Sequence, residues 1–265
     1  MVKVLGISGS PRKGNSQFLL EQALEAARAV SPGKVECTPY TLRGKKFAPC
    51  VSCFRCGEQG GECVLKDDFQ ELRDLWVAAD VVIYSVPVYH MGVPGQLKCF
   101  LDRLGNSLFG RYRHLFPAGV DSLPKLLKVV GAIAQGVHLC SGQEHTITDL
   151  VCHALILQCI PVTGDMWQSY IGAGGWTSND IARDALARQA EAGEADAAVL
   201  VKAARDVGRR ATEIALVLRE GGRVLRDTLR ADPAYLPFLE RLGCADPTTA
   251  GGGSGAEPGA GQGTD

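Results

Sequence analysis

The chain has 265 residues, 46% hydrophobic and 22% charged, enough to bury a full core in one large domain or two small ones. A net charge of -1 gives no bulk electrostatic case for a nucleic-acid or membrane partner, and no apolar run approaches the roughly 20 residues of a membrane span. The first residues lack a charged-then-apolar signal region, and ten cysteines are present. The expectation is a cytoplasmic protein whose clustered thiols serve metal or redox chemistry rather than disulfides.

Residues 2–8 ("VKVLGIS") are apolar and β-branched and predict a buried strand. Residues 16–30 place Phe18, Leu19, Ala23 and Ala26 on one helical face, and 35–41 predict a second strand. Asp67 and Asp68 open a helix, with acidic residues where the helix dipole favours them. Residues 80–85 ("DVVIYS") read as a third strand, running into a loop over 87–94 and a helix through Arg103. A fourth strand is expected over 127–134, a helix over 147–159 and a short fifth strand over 161–164. Strands separated by helices imply a parallel sheet covered on both faces, an α/β fold. Beyond Asp180, Val199, Ala203, Val207, Ala211, Ile214 and Leu218 recur at helical spacing, with Gly193 expected to break the helix from the preceding segment and Gly221-Gly222 to end it. Residues 246–265 have almost nothing to bury and are expected to be disordered.

The stretch "GSPRKGNS" after the first strand has the spacing of a nucleotide P-loop, with Asn15 where the lysine belongs. In a doubly wound sheet this turn presents backbone N–H groups and a helix N-terminus to a phosphate. Ser8, Ser10, Asn15 and Ser16 add donors, Arg12 and Lys13 add charge, and Gly14 opens the turn. Without the lysine there is no fixed cation for a triphosphate. Without G-x-G-x-x-G or an acidic residue ending the second strand, a dinucleotide is disfavoured here. The loop suits one terminal phosphate, as in flavin mononucleotide (FMN).

"GISGSPRKGNS" resembles the flavin-phosphate loop of the flavodoxin-like NAD(P)H-dependent reductases, and "SVPVYHMGVPGQLKCFLDR" resembles that family's second flavin loop and the helix behind it. The resemblance covers roughly residues 1–175. It implies a flavodoxin-like, doubly wound five-stranded parallel sheet over residues 1–179, with a C-terminal helical extension over 180–245. Pro87, Val88, Tyr89, His90 and Met91 form an apolar and aromatic loop at the C-terminal end of a central strand, as a flat isoalloxazine ring requires. Gln135 and Gly136, at the end of the fourth strand, are third-loop candidates by position. Cys140 could approach the flavin from the same loop, and His138 reads as a surface residue.

Within an inserted loop over 42–66, Cys50, Cys53, Cys56 and Cys63 are spaced C-x2-C-x2-C-x6-C. Zinc usually takes two separated C-x-x-C pairs, whereas three overlapping ligands are the crowded pattern of iron–sulfur ligation; zinc and free, redox-labile thiols stay open as alternatives. The spacing is also similar to that of the iron–sulfur flavoproteins, a subgroup of the same reductases, which implies a [4Fe-4S] cluster held by these four cysteines. Cys99, Cys152 and Cys159 read as small core residues.

The expected activity is an FMN-dependent oxidoreductase passing electrons between NAD(P)H or a protein donor, FMN and the cluster to a small-molecule or ferredoxin-type partner. The alternatives are a plain FMN or quinone reductase without a cluster and a non-catalytic redox sensor or carrier. The apolar stripe after Asp180 is expected to lie between subunits of a homo-oligomer, a dimer or tetramer. The resemblance implies that the cluster of one subunit lies near the flavin of another.

Overall fold

In the computed structural model, which describes residues 1–115 and 123–245, the strands β1 (Val2–Ser8), β2 (Val35–Thr41), β3 (Val81–Pro87) and β4 (Val129–Gly136) alternate with helices α1 (Asn15–Val30), α2 (Phe69–Ala78), α3 (Gly95–Arg111) and α4 (Gln143–Ile156). All pair in parallel, in the order β2-β1-β3-β4-β5, with β5 (Ile160–Pro161) on the far edge. This is the flavodoxin-like doubly wound order. The tail expected over 246–265 lies outside the described residues.

The alternation of side chains along each strand feeds two cores. Val82, Tyr84 and Val86 of β3 join Phe69, Trp76, Phe100 and Leu150 on the face covered by α2, α3 and α4. Val81 and Ile83 face the other way, toward Leu19, Leu20 and Leu24 of α1. A long helix, α6 (Ala195–Val224), completes that second layer through Leu200, Ala203, Ala204, Val207, Ala211 and Ala215. The apolar stripe expected between subunits is therefore packed on its own sheet. Its small residues explain the fit. Gly208 of α6 lies so close to α1 that a Cβ would collide with the Ala23 carbonyl, and Val207 fills the space that Gly131 leaves on β4.

Two boundaries differ from expectation for physical reasons. The edge strand is split. After β5, residues 162–172 leave the sheet, and β6 (Ala173–Trp176) returns to pair with β4 at Ile133–Gly136, making six strands rather than five. Gly221-Gly222 does not end α6, because Gly222 lets Phe238 and Leu242 of the last described helix, Leu236–Leu242, close against it. Gly193 does separate α5 (Ala185–Glu191) from α6, with a left-handed φ of 75°. Finally, Cys159 is buried and Cys99 half-buried, but Cys152 is exposed on α4 rather than in the core.

Candidate functional site

Four loops leave the C-terminal ends of the parallel strands, and direct contacts join three of them. The first is the turn after β1. Ser8, Ser10, Asn15 and Ser16 are all buried there, while Arg12 and Lys13 are exposed. Gly9 cannot be larger, because a Cβ would sit 2.7 Å from Val86 Cγ1. The start of α1 has no side-chain cap and no acidic residue in its first turn, so its N–H groups and dipole are available to an anion. Ser8 Oγ is buried with no hydrogen-bond partner among the described residues, a donor that a bound oxyanion could satisfy. These features fit a phosphate.

Not every expected donor points at that phosphate. Asn15 Nδ2 donates to the Ala182 carbonyl at 3.1 Å, and its Oδ1 accepts from Leu186 N at 3.1 Å. Asn15 thus ties the phosphate turn to the segment before α5, and the missing P-loop lysine is replaced by a structural clamp. Ser16 Oγ accepts from Gln135 Nε2 at 3.4 Å, and its carbonyl accepts from Ser85 Oγ at 2.8 Å. Ser16 and Gln135, predicted on different loops, are therefore neighbours.

The second loop follows β3. Pro87 is buried, Val88 N donates to the Gln135 carbonyl at 2.9 Å, and Tyr89 and Gly92 exchange two backbone hydrogen bonds of 3.0 Å. The residues at the tip, His90 and Met91, are both left-handed, with φ of 45° and 69°. Neither is glycine, so this turn holds strain of the kind that gathers at binding sites. It is pressed against the third loop, since a Cβ on Gly142 would lie 2.5 Å from Met91 Cα.

Gln143 organises that third loop, accepting from Ser141 N and donating to the carbonyls of His138 and Gly175. His138 is exposed and shares a 2.7 Å contact with Asn179. A cavity of about 520 Å³ opens between Met91, Cys140, Gly174, Trp176 and the excursion 162–172, which contributes Trp167 and Tyr170 in an edge-to-face pair. Its size and aromatic wall suit a flat ring.

The fourth loop carries the cysteines. It leaves β2, is tied to the start of α3 by Gln96 Nε2 donating to the carbonyls of Leu42 and Lys45, and then runs along that helix. Cys50, Cys53, Cys56 and Cys63 border one small cavity with Arg103 and Asn106 of α3. Among the described residues no three His, Cys, Asp or Glu side chains converge to hold a single metal ion. The four thiols surround a space without meeting at a point. Ser52 and Phe54 turn the backbone through left-handed φ of 50° and 55°, and the Arg55–Gly57 turn packs on α3 where Gly110 leaves room for the Cys56 carbonyl.

Arg103 sits beneath this loop with its side chain 1% exposed. Nη1 donates to both Asp67 oxygens, at 2.8 and 2.6 Å, while Nη2 donates to the Leu65 carbonyl at 2.8 Å and to Cys63 Sγ at 3.3 Å. Asn106 Nδ2 lies 3.8 Å from Cys50 Sγ. Burial pushes the Cys56 thiol up, and the neighbouring Cys63 and Cys53 add to the rise. Such a thiol ionises readily only where a cationic centre takes its place in the charge balance. Four thiols, a buried guanidinium and flanking glycines fit a cluster of several metal atoms.

The profile of the NADPH-dependent FMN reductase family matches residues 2–158. The chain belongs to that family. It is 34% identical over 178 residues to an iron–sulfur flavoprotein of Archaeoglobus fulgidus, covering 67% of this chain and 84% of that protein. It is 31% identical over 223 residues to an iron–sulfur flavoprotein of Methanocaldococcus jannaschii, covering 83% of this chain and all of the relative. Among solved structures, an azoreductase from Bacillus anthracis superposes with a TM-score of 0.55 at 14% identity, covering 79% of this chain and 99% of that one.

As an FMN reductase, the chain is a flavin oxidoreductase, and the non-catalytic alternative is set aside. Among its described residues no helix is long and apolar enough to cross a membrane. Sequence reading did not single out several residues that border these cavities. Trp167 and Tyr170 lie in a segment with no periodicity. Arg103 carried one signal, an arginine facing inward on a helix whose Leu97, Phe100, Leu104 and Leu108 are all buried.

Proposed function

We propose that this FMN reductase passes electrons from NAD(P)H, or from a protein donor, through FMN to a [4Fe-4S] cluster held by Cys50, Cys53, Cys56 and Cys63, and on to a small-molecule or ferredoxin-type acceptor. The observation that carries the reading is the cavity bordered by all four thiols, with a buried arginine donating to one of them, in a chain of the FMN reductase family. FMN, when bound, supplies two-electron acceptance and one-electron release, and the cluster supplies single-electron exchange.

The residues have separable tasks. Ser10, Ser16, Gly14 and the N-terminus of α1 hold the phosphate, with Arg12 adding charge at the rim. Pro87, Val88, Tyr89, His90 and Met91 wall the ring, and the Gln135 side chain, beside Ser16 and next to Gly136, links the phosphate turn to the ring loop. Trp167, Tyr170 and Trp176 exclude water from the cavity where the donor or acceptor lies. Arg103 and Asn106 orient thiolates and offset their charge.

A homo-oligomer is part of this reading, supported by different residues from those first expected. Tyr89, Met91, Leu139, Trp167, Tyr170 and Ile171 are exposed together at the mouth of the crevice, an apolar patch of the kind that a second copy covers. The cysteine loop meets α3 between Arg103 and Gly110. These positions lie about 12 and 22 Å along the helix from Gly95, beside the ring loop, which favours electron exchange with a neighbouring subunit. The free thiols suit the cytoplasm.

The test combines metal analysis with two variants. Anaerobically purified protein should contain iron and sulfide, and Cys53→Ser should lose both while retaining FMN. Ser16→Ala should weaken FMN by roughly ten- to a hundredfold, the loss of a charge-assisted hydrogen bond, and leave riboflavin affinity nearly unchanged. One equivalent of zinc, or thiols without metal, would return the protein to a plain FMN reductase. Equal losses for both flavins would put the phosphate elsewhere.

A further inference from the structure

The opposite edge of the sheet holds a second cavity, of about 500 Å³, within the range of small-molecule sites. It lies where β1 and β3 begin, about 20 Å along the strands from the flavin loops. Its floor is apolar, built from Leu108, Tyr112 and Leu126, all buried. The last helices of the chain close one side through Arg219 and Arg241.

The charge around this cavity is unbalanced. Lys3, Arg111, Arg219 and Arg241 border it, against two carboxylates, Asp80 and Glu240. The chain as a whole carries a net charge of -1, so the cationic excess is local. Asp80 is already engaged, accepting from Arg219 Nη1 and Arg241 Nε at 3.0 Å and from Lys3 N at 2.9 Å. Arg241 is further occupied by the carbonyls of Leu126 and Leu127. Lys128, buried at the same edge, donates to the carbonyls of Val77 and Ala79 and is not counted with the cations. Among the described residues no carboxylate pairs with Lys3 Nζ or with Arg111, which leans on the Tyr112 ring at 5.8 Å. Two unpaired cations and a partly used guanidinium, Arg219, therefore rim an apolar floor.

We propose that this cavity is a second ligand site of the reductase, distinct from the flavin crevice, and that it takes an organic oxyanion (a carboxylate or a phosphate ester) with an apolar body. The oxyanion is held by Lys3, Arg111 and Arg219, and the body rests on Leu108 and Tyr112. Such a ligand would join the C-terminal helices to the strand edge, so its binding should also raise the melting temperature.

The experiment uses FMN-loaded protein, so that the phosphate loop is filled, and reads fluorine NMR line broadening and calorimetry. The probes are 4-fluorobenzoate, 4-fluorophenyl phosphate and the neutral 4-fluorobenzyl alcohol. At least one anionic probe should bind at one equivalent per chain, with the preferred anion distinguishing a carboxylate site from a phosphate-ester site. The neutral probe should not bind. The Lys3→Gln, Arg111→Gln double variant should bind the anion at least tenfold more weakly, with unchanged FMN content and unchanged reductase rate in the absence of probe. Absence of binding by both anions at millimolar concentration would overturn the proposal. So would equal binding of the neutral probe, or an affinity that the double variant leaves intact, which would put the probe in the flavin crevice.

Discussion

Arg103→Met removes a cation from beneath the cysteine loop while keeping a side chain of similar length. Five hydrogen bonds go with it, two to Asp67, one each to the carbonyls of Ala48 and Leu65 and one to Cys63 Sγ, together with the stacking of the guanidinium over Phe69 at 4.2 Å. The largest part of the cost is the stranded Asp67 carboxylate, whose side chain is 13% exposed. Removing one partner of a buried ion pair costs about 3–5 kcal/mol. Asp67 keeps N–H donors from Ala48 at 2.8 Å and Phe69 at 3.0 Å, and Leu65 keeps Gln70 Nε2 at 2.8 Å, which places this case near the lower end, about 3 kcal/mol. Urea unfolding of FMN-loaded protein should show that loss, and the Arg103→Met, Asp67→Asn double variant should recover at least about 1 kcal/mol of it by removing the stranded charge. Iron content should fall in the single variant while FMN content holds. A single variant within about 1 kcal/mol of the parent, or a double variant no better than the single, would refute the view that the pair secures the loop.

Gly208→Ala should destabilise by about 2–3 kcal/mol, because the new methyl group meets the rigid Ala23 backbone; a rise in melting temperature, as helix propensity alone would give, would contradict the packing of α1 on α6. Asn15→Ala should cost about 1–3 kcal/mol and speed proteolysis near residues 182–186, with a smaller effect on FMN affinity than Ser16→Ala; the reverse ranking would make Asn15 a phosphate ligand. His153 is held neutral by burial, its pKa lowered from 6.5 to about 4, with Asp102 opposing and Lys98 adding to the fall. A lowered folded pKa means that the unfolded chain binds the extra proton first, so this stability is complete above pH 6.5 and is lost as pH falls toward 4. The His153→Leu variant should therefore lose about 2 kcal/mol less than the parent between pH 7 and 4.5, and parallel curves would exclude the histidine as the cause.

What could be read from the sequence follows how local each feature is. The phosphate turn is contiguous, and its glycine, serines and following helix are legible because the backbone itself makes the site. The parallel sheet follows from the alternation of apolar runs with helices, whereas its flavodoxin-like arrangement is what the family resemblance implies. Arg103 could not be assigned, because its partner Asp67 comes from 36 positions away and is set beneath it only by the packing of the cysteine loop. β6 reads poorly as a strand, since "AGGW" has little β-propensity; it forms because Gly174 and Gly175 let Ile147 and Leu200 close on either side. The stripe on α6 was visible, but its direction was misread. Alanine and glycine at the buried positions mark a helix pressed onto another helix, whereas a surface between subunits would favour larger side chains.

The split edge strand has a consequence for how this enzyme can diversify. Residues 162–172 begin and end on the same neighbour, β4, so both anchor points are fixed by ladder hydrogen bonds whatever lies between them. Length and composition of that excursion can change without shifting the register of the sheet or the turn after β1. The wall carrying Trp167 and Tyr170 can thus vary independently of the sheet, and on the proposed reading exchanging it should change which molecule enters the neighbouring cavity.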